Sequence, residues 1–252
     1  DPKDRDARGK INLARLSGKD RVGSDQYKRM KNRLEKTGAA LEKAAGPQER
    51  KRGLTLKGRQ SRSDRLLFLE PGSIPLGEGR RLSFPELFIG PGDRIALTGP
   101  NGSGKSTLLR HILPRFSVPL MYLPQELGTA ESRGILEAVL SEEEKHRGEI
   151  LSGFSRLGSD PRLLFKSALP SPGETRKLLI ARGIFHDPAL IVMDESTNHL
   201  DLLSTGLLEA ALAEYSGALF LASHDPVFLS RLTKREWTIA GTGGDSTLRT
   251  DC

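Results

Sequence analysis

The feature that most constrains this chain is a glycine-rich stretch at residues 99–107, GPNGSGKST. It fits the phosphate-binding pattern G-x-x-x-x-G-K-[ST]. A strand-like run, Asp93–Thr98, precedes it, and a helix-like run, Ser106–Ile112, follows it. Glycines leave backbone N–H groups free to surround a phosphate, and a helix N-terminus adds about half a positive charge. The sequence therefore predicts a phosphate-binding loop between a strand and a helix.

The residues of this loop, called the P-loop below, are candidate ligands of a nucleotide. Lys105 brings a full positive charge toward the β- and γ-phosphates, and the Ser106 hydroxyl is suited to ligate Mg²⁺. The predicted phosphate-binding residues are Gly99, Pro100, Asn101, Gly102, Ser103, Gly104, Lys105, Ser106 and Thr107.

A second candidate part of the site is the sequence LIVMDE at residues 190–195. Four apolar residues predict a buried strand, and two acidic residues follow at its carboxyl end, where α/β sheets bind ligands. Asp194 is a candidate Mg²⁺ ligand, and Glu195 is a candidate general base for an attacking water. Alone, the pattern also fits a strand that runs into an acidic turn.

Length and composition narrow the class of protein. The 252 residues allow one large domain, or a domain with an appendage. No run reaches the roughly 18 apolar residues of a membrane-spanning helix, so we expect no membrane insertion. The sole cysteine, Cys252, excludes an internal disulfide and is typical of a reducing cytosol. Because Asp1 begins within a charged run, we expect a piece of a longer chain.

The positive charge is concentrated near the N-terminus. Residues 1–60 contain 18 lysines and arginines against 8 aspartates and glutamates, a net charge of +10, whereas the rest of the chain carries −3. This asymmetry indicates a nucleic-acid or other anionic partner. The alternative is a solvated helix whose charge serves solubility alone. Residues 24–45 predict a basic helix with a sparse apolar stripe that needs a partner helix, and residues 51–65 a basic connector.

The remaining elements follow from apolar patterns. We expect strands at 66–70, 80–89 and 94–98, the first two forming an antiparallel edge, and further strands at 120–123, 189–193 and 218–222. Helices are predicted within 132–167, with an interruption near 158–161, and over 172–186. A hairpin around 241–244 is predicted for residues 236–250.

The order of motifs resembles the nucleotide-binding domain of the ABC ATPase superfamily. After the P-loop come Gln125, then Ser171-Pro172-Gly173-Glu174, then Asp194-Glu195, and then Asp201 and His224. The resemblance implies that Gln125 contacts Mg²⁺ and the attacking water, that Asp201 is the D-loop aspartate and that His224 is the switch histidine. It implies ATP and Mg²⁺ as ligands, with Glu195, His224 and Gln125 catalytic. The implied metal-binding residues are Ser106, Gln125 and Asp194.

The tetrapeptide at 171–174 resembles the ABC signature loop. Ser171 suits a helix N-cap and Pro172 the first helical position, so the loop presents a helix N-terminus to an anion. In the family, that anion is the γ-phosphate bound to the opposite domain. The resemblance therefore implies that Ser171, Gly173, Glu174 and Asp201 contribute to nucleotide binding across a pair of domains. The resemblance also implies that a second nucleotide-binding domain, upstream in the full-length chain or in a homodimer of this chain, is required.

The run ESTNHLD at 195–201 is similar to that of the ABC-F proteins, tandem ATPases whose linker reaches into the ribosome. Residues 15–21 resemble linkers of the antibiotic-resistance branch. The resemblance implies a basic helical linker over 1–65 and an ABC-type ATP-binding domain over 66–252, with a helical subdomain at about 127–178. The expected fold is α/β, a P-loop NTPase with a mostly parallel core sheet and an antiparallel β edge. The expected partners are ribosome, rRNA and tRNA, and the expected location is the cytoplasm.

The chain departs from the family pattern in four respects. Pro172 replaces a signature glycine, and Ser196 replaces the usual proline after the acidic pair. Leu76 stands where the family often has an aromatic residue that stacks on adenine, and the interval from Lys105 to Gln125 is short. Alternatives are the ATPase subunit of a membrane transporter, for which a basic N-terminal helix is atypical, and an SMC-like DNA-repair ATPase, which would carry a long coiled-coil insertion.

Overall fold

The computed structural model describes residue 56 and residues 63–164, 169–195, 200–241 and 244–251. The predicted basic helix, the resemblance of residues 15–21 and most of the predicted connector lie outside the described residues. Within the described residues, no helix combines the length and the apolar character needed to cross a membrane.

Ten strands and six helices make up the described part of the chain. The strands are β1 (Leu67–Leu69), β2 (Gly72–Gly77), β3 (Arg80–Phe84), β4 (Leu87–Ile89), β5 (Arg94–Thr98), β6 (Leu120–Leu123), β7 (Leu190–Asp194), β8 (Ala218–Ala222), β9 (Arg235–Ala240) and β10 (Ser246–Thr250). The helices are α1 (Lys105–Ile112), α2 (Thr129–Ser141), α3 (Glu144–Arg156), α4 (Pro172–Phe185), α5 (Leu202–Glu214) and α6 (Pro226–Leu232). Short 3₁₀ turns occupy Leu113–Arg115 and Pro161–Leu163.

The main sheet has the strand order β2-β3-β10-β9-β5-β8-β7-β6. From β9 to β6 all neighbouring strands are parallel, whereas the β2–β3 and β10–β9 pairs are antiparallel. The expected fold, a mostly parallel core with an antiparallel edge, is confirmed. The predicted hairpin is also confirmed, as β9 and β10.

The prediction for the antiparallel edge was partly wrong. β1 pairs with β4 in a separate two-stranded sheet, as expected for 66–70 and the end of 80–89. The predicted strand at 80–89 is interrupted at Pro85-Glu86, however, and its first half pairs with β2, which the sequence reading missed. β2 contains Gly72, Pro75 and Gly77 and has a register shift at Pro75–Gly77. Such residues are depleted in strands, so their pattern did not predict one.

Both faces of the parallel sheet are covered, which explains the continuous apolar runs of β7 and β8. Ile191 and Met193 contribute to the core on the side of α2–α5, and Leu190 and Val192 to the core on the side of α1. Alternate residues of a strand point to opposite faces, so a strand covered on both sides is apolar at successive positions.

The helical segment between β6 and β7 holds α2, α3 and α4. The interruption at 158–161 is confirmed, since Gly158 has a positive φ of 80° just after α3. A second break, at Glu142-Glu143 between α2 and α3, was not predicted. α4 begins at Pro172 as predicted and ends one residue earlier, at Phe185. The domain boundary and the limits of the helical subdomain stay predictions.

Candidate functional site

The P-loop leads from the end of β5 into the N-terminus of α1, as the sequence predicts. Gly99, Gly102 and Gly104 all have positive φ, at 145°, 74° and 109°. A Cβ on Gly99 would lie 2.7 Å from the carbonyl oxygen of Ile239, so no larger residue fits there. Glycine is needed at these positions because other residues rarely adopt this backbone conformation. Pro100 and Asn101 are exposed on the turn.

Lys105 is folded back onto the loop rather than extended into solvent. Its side chain is only 6% exposed, and its Nζ donates hydrogen bonds to the carbonyl oxygens of Gly99 at 2.8 Å and Pro100 at 3.3 Å. Ser103 is fully buried beside it, and its hydroxyl has no hydrogen-bond partner. The loop thus concentrates a cation and an unpaired hydroxyl where phosphate oxygens are expected. Thr107 lies in the first turn of α1, partly buried.

Asp194 and Ser106 meet at the carboxyl end of β7. Asp194 is 2% exposed, and its side chain is hydrogen-bonded to Ser106. Burial raises the pKa of the Asp194 carboxyl, and the Ser106 hydrogen bond opposes that rise. Its Oδ1 atom is buried without a hydrogen-bond partner. A carboxylate oxygen is costly to bury unpaired, so this pair fits a divalent cation with oxygen ligands.

Glu195 is the point at which three predicted residues converge. Its Oε1 atom lies 2.9 Å from Nε2 of His224 and 3.7 Å from Nζ of Lys105. Its Oε2 atom lies 3.5 Å from Nε2 of Gln125, which donates to it. The side chain of Glu195 is 12% exposed, so the carboxylate is largely shielded from water yet contacts groups from three separate segments of the chain.

The backbone conformation at Glu195 is unusual for a residue other than glycine. Its φ is 47°, in the left-handed region, and its N–H donates to the carbonyl oxygen of Ala222 at 2.8 Å. His224 comes two residues after Ala222, the last residue of β8. The next residue, Asp225, caps α6 by accepting hydrogen bonds from the N–H groups of Val227 and Phe228. The ends of β7 and β8 thereby bring Glu195 and His224 together.

The signature-like tetrapeptide forms the N-terminus of α4. Ser171 and Glu174 form a reciprocal capping box: the Ser171 N–H donates to Oε2 of Glu174 at 2.8 Å, and the Glu174 N–H donates to Oγ of Ser171 at 3.3 Å. Ser171 is exposed, and Gly173 lies in the first turn. In the part of the chain that the structure describes, no hydrogen bond joins Ser171 or Glu174 to the P-loop or Glu195. These residues therefore do not belong to the same cluster as Lys105.

Asp201 forms an ion pair with a residue of α4 and caps the N-terminus of α5. It caps α5 by accepting from the N–H of Ser204 at 2.8 Å, and its Oδ2 lies 2.5 Å from Nζ of Lys177. The Lys177 hydrogen bond is the largest cause that lowers the pKa of Asp201, to about 2. In this arrangement Asp201 and Lys177 connect the helix that carries the signature residues with the segment that follows β7.

Sequence reasoning missed two basic residues, Arg176 and Lys177. Both are buried, and Nη2 of Arg176 donates to the carbonyl oxygen of Gln125 at 2.8 Å. The available signal was a pair of cations two residues after the end of a capping box, on a helix otherwise rich in apolar residues. Their partners are distant in sequence, so this signal alone could not name them.

The structure also gives Leu76 a definite position. It lies at the register shift in β2, and its Cδ2 atom is 2.7 Å from where a Cβ of Gly104 would be. A bulge often redirects a side chain, and here it brings an aliphatic group against the P-loop. The residue at this position is leucine rather than an aromatic residue.

Comparison with known proteins agrees with this geometry. The family described as "ABC transporter" matches residues 85–198, which contain the P-loop, Gln125, the signature-like tetrapeptide and Asp194-Glu195. The chain carries an ABC-type ATP-binding domain. The resemblance predicted from the motifs is confirmed.

Several curated relatives are of the ABC-F type. The chain is 33% identical over 190 residues to the ribosome protection protein VmlR of Bacillus subtilis, an alignment that covers 70% of the chain and 35% of VmlR. It is 31% identical over 237 residues to the tylosin resistance ATP-binding protein TlrC of Streptomyces fradiae, covering 87% of the chain and 41% of TlrC. ABC transporter F family member 5 of Arabidopsis thaliana is 33% identical over 165 residues, covering 59% of the chain and 24% of that protein.

The chain thus spans less than half the length of these relatives. Among solved structures, the archaeal ribosome recycling factor aABCE1, in complex with the stalk protein aP1, superposes with a TM-score of 0.56. The identity is 19%, over 81% of this chain and 42% of that one. Identity this low shows a shared fold and no more.

Proposed function

We propose that this chain binds ATP with Mg²⁺ and hydrolyses it, as one half of a tandem ABC-F ATPase that acts on the ribosome. The observation that carries the proposal is the convergence of Lys105, His224 and Gln125 on the carboxylate of Glu195. Each of these residues belongs to a sequence motif, and the motifs lie far apart along the chain. Their meeting at one point is what a hydrolytic site requires.

In the proposed reaction the P-loop N–H groups and Lys105 hold the phosphates. Mg²⁺, when bound, supplies positive charge that offsets the charge of the phosphate oxygens. The buried unpaired Oδ1 of Asp194 and the neighbouring Ser106 support their assignment as its ligands, with Gln125 as the third. Glu195 accepts a proton from the attacking water, while His224 and Gln125 fix the direction of its carboxylate.

We also propose that a second nucleotide-binding domain completes the site. Ser171, Gly173 and Glu174 form an exposed helix N-terminus apart from the Glu195 cluster, which supports a role toward a phosphate on another domain. Asp201, linked to the same helix through Lys177, would lie at that junction. The partner is either an upstream domain of the full-length protein or a second copy of this chain.

The proposed ribosomal role rests on the named relatives and on charge. VmlR is a ribosome protection protein, and TlrC is an ATP-binding protein of tylosin resistance. Residues 1–60, with a net charge of +10, would contact RNA phosphates, and the protein would act in the cytoplasm. This proposal covers a translation factor as well as an antibiotic-resistance protein.

The catalytic part is tested with Glu195→Gln in the full-length protein. Removing a positioned general base should lower the hydrolysis rate roughly 10²–10⁴-fold while ATP binding persists. Glu209→Gln is the matched control, because Glu209 is also paired, with Arg231 at 2.7 Å, but lies on the surface of α5. A Glu195→Gln protein that hydrolyses ATP at the parental rate would exclude Glu195 as the base.

The ribosomal part is tested by pelleting the Glu195→Gln protein with ribosomes at increasing salt. Binding should weaken steeply with salt because RNA contacts release counterions. A second protein carries five further substitutions to glutamate, at Arg15, Lys19, Arg21, Lys28 and Arg29. Equal pelleting of the two proteins at every salt concentration would refute a role for the basic segment.

A further inference from the structure

The buried guanidinium of Arg176 joins two parts of the molecule that the proposed function treats separately. Arg176 is 2% exposed and lies on α4, five residues after the capping residue Ser171. At a rise of about 1.5 Å per residue, this is roughly 7 Å along the helix from its N-terminus. From there Nη2 donates to the carbonyl oxygen of Gln125 at 2.8 Å. The helix that bears the signature-like residues therefore holds the backbone of Gln125.

A second contact keeps α4 in register with the strand that leads to Gln125. A Cβ on Gly183 would lie 2.2 Å from Sδ and 2.5 Å from Cγ of Met121, so helix and strand approach as closely as a glycine allows. Met121 belongs to β6, which ends two residues before Gln125. The Gly183–Met121 contact and the Arg176–Gln125 hydrogen bond both join α4 to the segment that carries Gln125. A displacement of α4 must therefore move that segment.

The side-chain contact of Gln125 is sensitive to such a displacement. Its Nε2 lies 3.5 Å from Oε2 of Glu195, at the long limit of a hydrogen bond. A shift of a few tenths of an ångström decides whether this contact is made. The buried guanidinium of Arg176 fixes the backbone carbonyl of Gln125, since a charged donor makes a stronger hydrogen bond than a neutral one.

We propose that Arg176 is a positioning residue that couples the N-terminus of α4 to Gln125 and, through Gln125, to the carboxylate of Glu195. An anion that engages the Ser171 end of α4 would thereby be sensed at this domain's own hydrolytic site. The two sites of a domain pair would be linked within one chain, through the hydrogen bond from Arg176 to Gln125. This inference rests on the proposed function, because it assigns a supporting role to a residue of that site.

The test compares four variants of the full-length protein: Arg176→Met, Arg176→Lys, Gln125→Ala and the double variant Arg176→Met with Gln125→Ala. The matched control is Arg147→Met. Arg147 is likewise a buried arginine, 8% exposed, and its Nη1 donates to the carbonyl oxygens of Leu140 and Glu142 rather than to that of Gln125. Steady-state kcat and KM for ATP are measured for all, together with hydrogen exchange of the amides at 125–127.

Loss of positioning should lower kcat of Arg176→Met roughly 10–100-fold while KM changes less than about threefold. Arg176→Lys should recover part of kcat, and the double variant should be no slower than the slower single variant. Exchange at 125–127 should be faster in Arg176→Met and unchanged in Arg147→Met, which should keep the parental kcat.

Two results would overturn the inference. One is a double variant whose loss of kcat is the product of the single losses. The other is parental exchange at 125–127 in Arg176→Met. The exchange measurement does not depend on ATP hydrolysis. If the parent protein hydrolysed no ATP, the proposed function would be refuted, and exchange at 125–127 would still test the contact between Arg176 and Gln125.

Discussion

The Lys177–Asp201 pair allows a quantitative prediction about stability. Asp201 has two roles, as the ion-pair partner of Lys177 and as the N-cap of α5. Asparagine caps a helix about as well as aspartate, whereas alanine does not. Asp201→Asn should therefore remove the charge and keep the cap, and Asp201→Ala should remove both.

The expected cost of losing the charge follows from the pKa of Asp201. Lowering that pKa from 3.8 to about 2 corresponds to about 2.4 kcal/mol of stability at neutral pH. The side chain of Asp201 is 54% exposed, so solvent screening reduces the expected value to about 1 kcal/mol. Losing the cap in Asp201→Ala should add about 1 kcal/mol more.

The pH dependence has a definite sign. The folded-state pKa of Asp201 is below its unfolded value, so the contribution is present above about pH 4 and is lost as the pH falls toward about 2. Urea unfolding of the parent and both variants, at pH 7 and at steps down to pH 3, measures this. The reasoning would be refuted if Asp201→Asn and Asp201→Ala were equally destabilised at pH 7. It would also be refuted if the difference in unfolding free energy between the parent and Asp201→Asn did not narrow below pH 4.

Two further predictions concern the P-loop lysine and the contact between α4 and β6 at Gly183. Lys105→Ala should weaken ATP–Mg²⁺ binding roughly 10–100-fold, since a charge-assisted contact to phosphate is lost; calorimetric titration measures this, and unchanged affinity would exclude Lys105 as a phosphate ligand. Gly183→Ala should destabilise the fold by about 1–3 kcal/mol, because its Cβ would collide with Met121. Gly148→Ala is the control: its Cβ would meet nothing within 4 Å, so it should gain about 0.5–1 kcal/mol in helix α3. Thermal or urea unfolding in which the two variants behave alike would contradict the packing argument.

The sequence predicted the parts of the fold that local patterns determine. A buried strand shows as an apolar run, a P-loop as its glycines, and the start of α4 as Ser171-Pro172 followed by Glu174. These features depend on neighbours within a few residues, so they can be read directly. β7, β8, α1 and α4 were all placed to within one or two residues of their bounds in the structure.

What the sequence did not predict depends on partners distant along the chain. β2 is held by its pairing with β3, despite residues that disfavour strands. The contact between Arg176 and Gln125 spans 51 residues, and that between Gln125 and Glu195 spans 70. Motif order indicated that Gln125, Glu195 and His224 belong to one site, but only the fold determines which atoms touch.

The left-handed backbone at Glu195 has a consequence for how this domain would evolve under selection. A residue other than glycine held at a φ of 47° stores roughly 1 kcal/mol or more of conformational strain. Asparagine tolerates that conformation better than glutamate does, so Glu195→Asn would relax the backbone and discard the carboxylate in one change. A population of variants screened only for resistance to heat would therefore be drawn toward proteins that lack the proposed general base. Only competition that demands turnover would keep glutamate there.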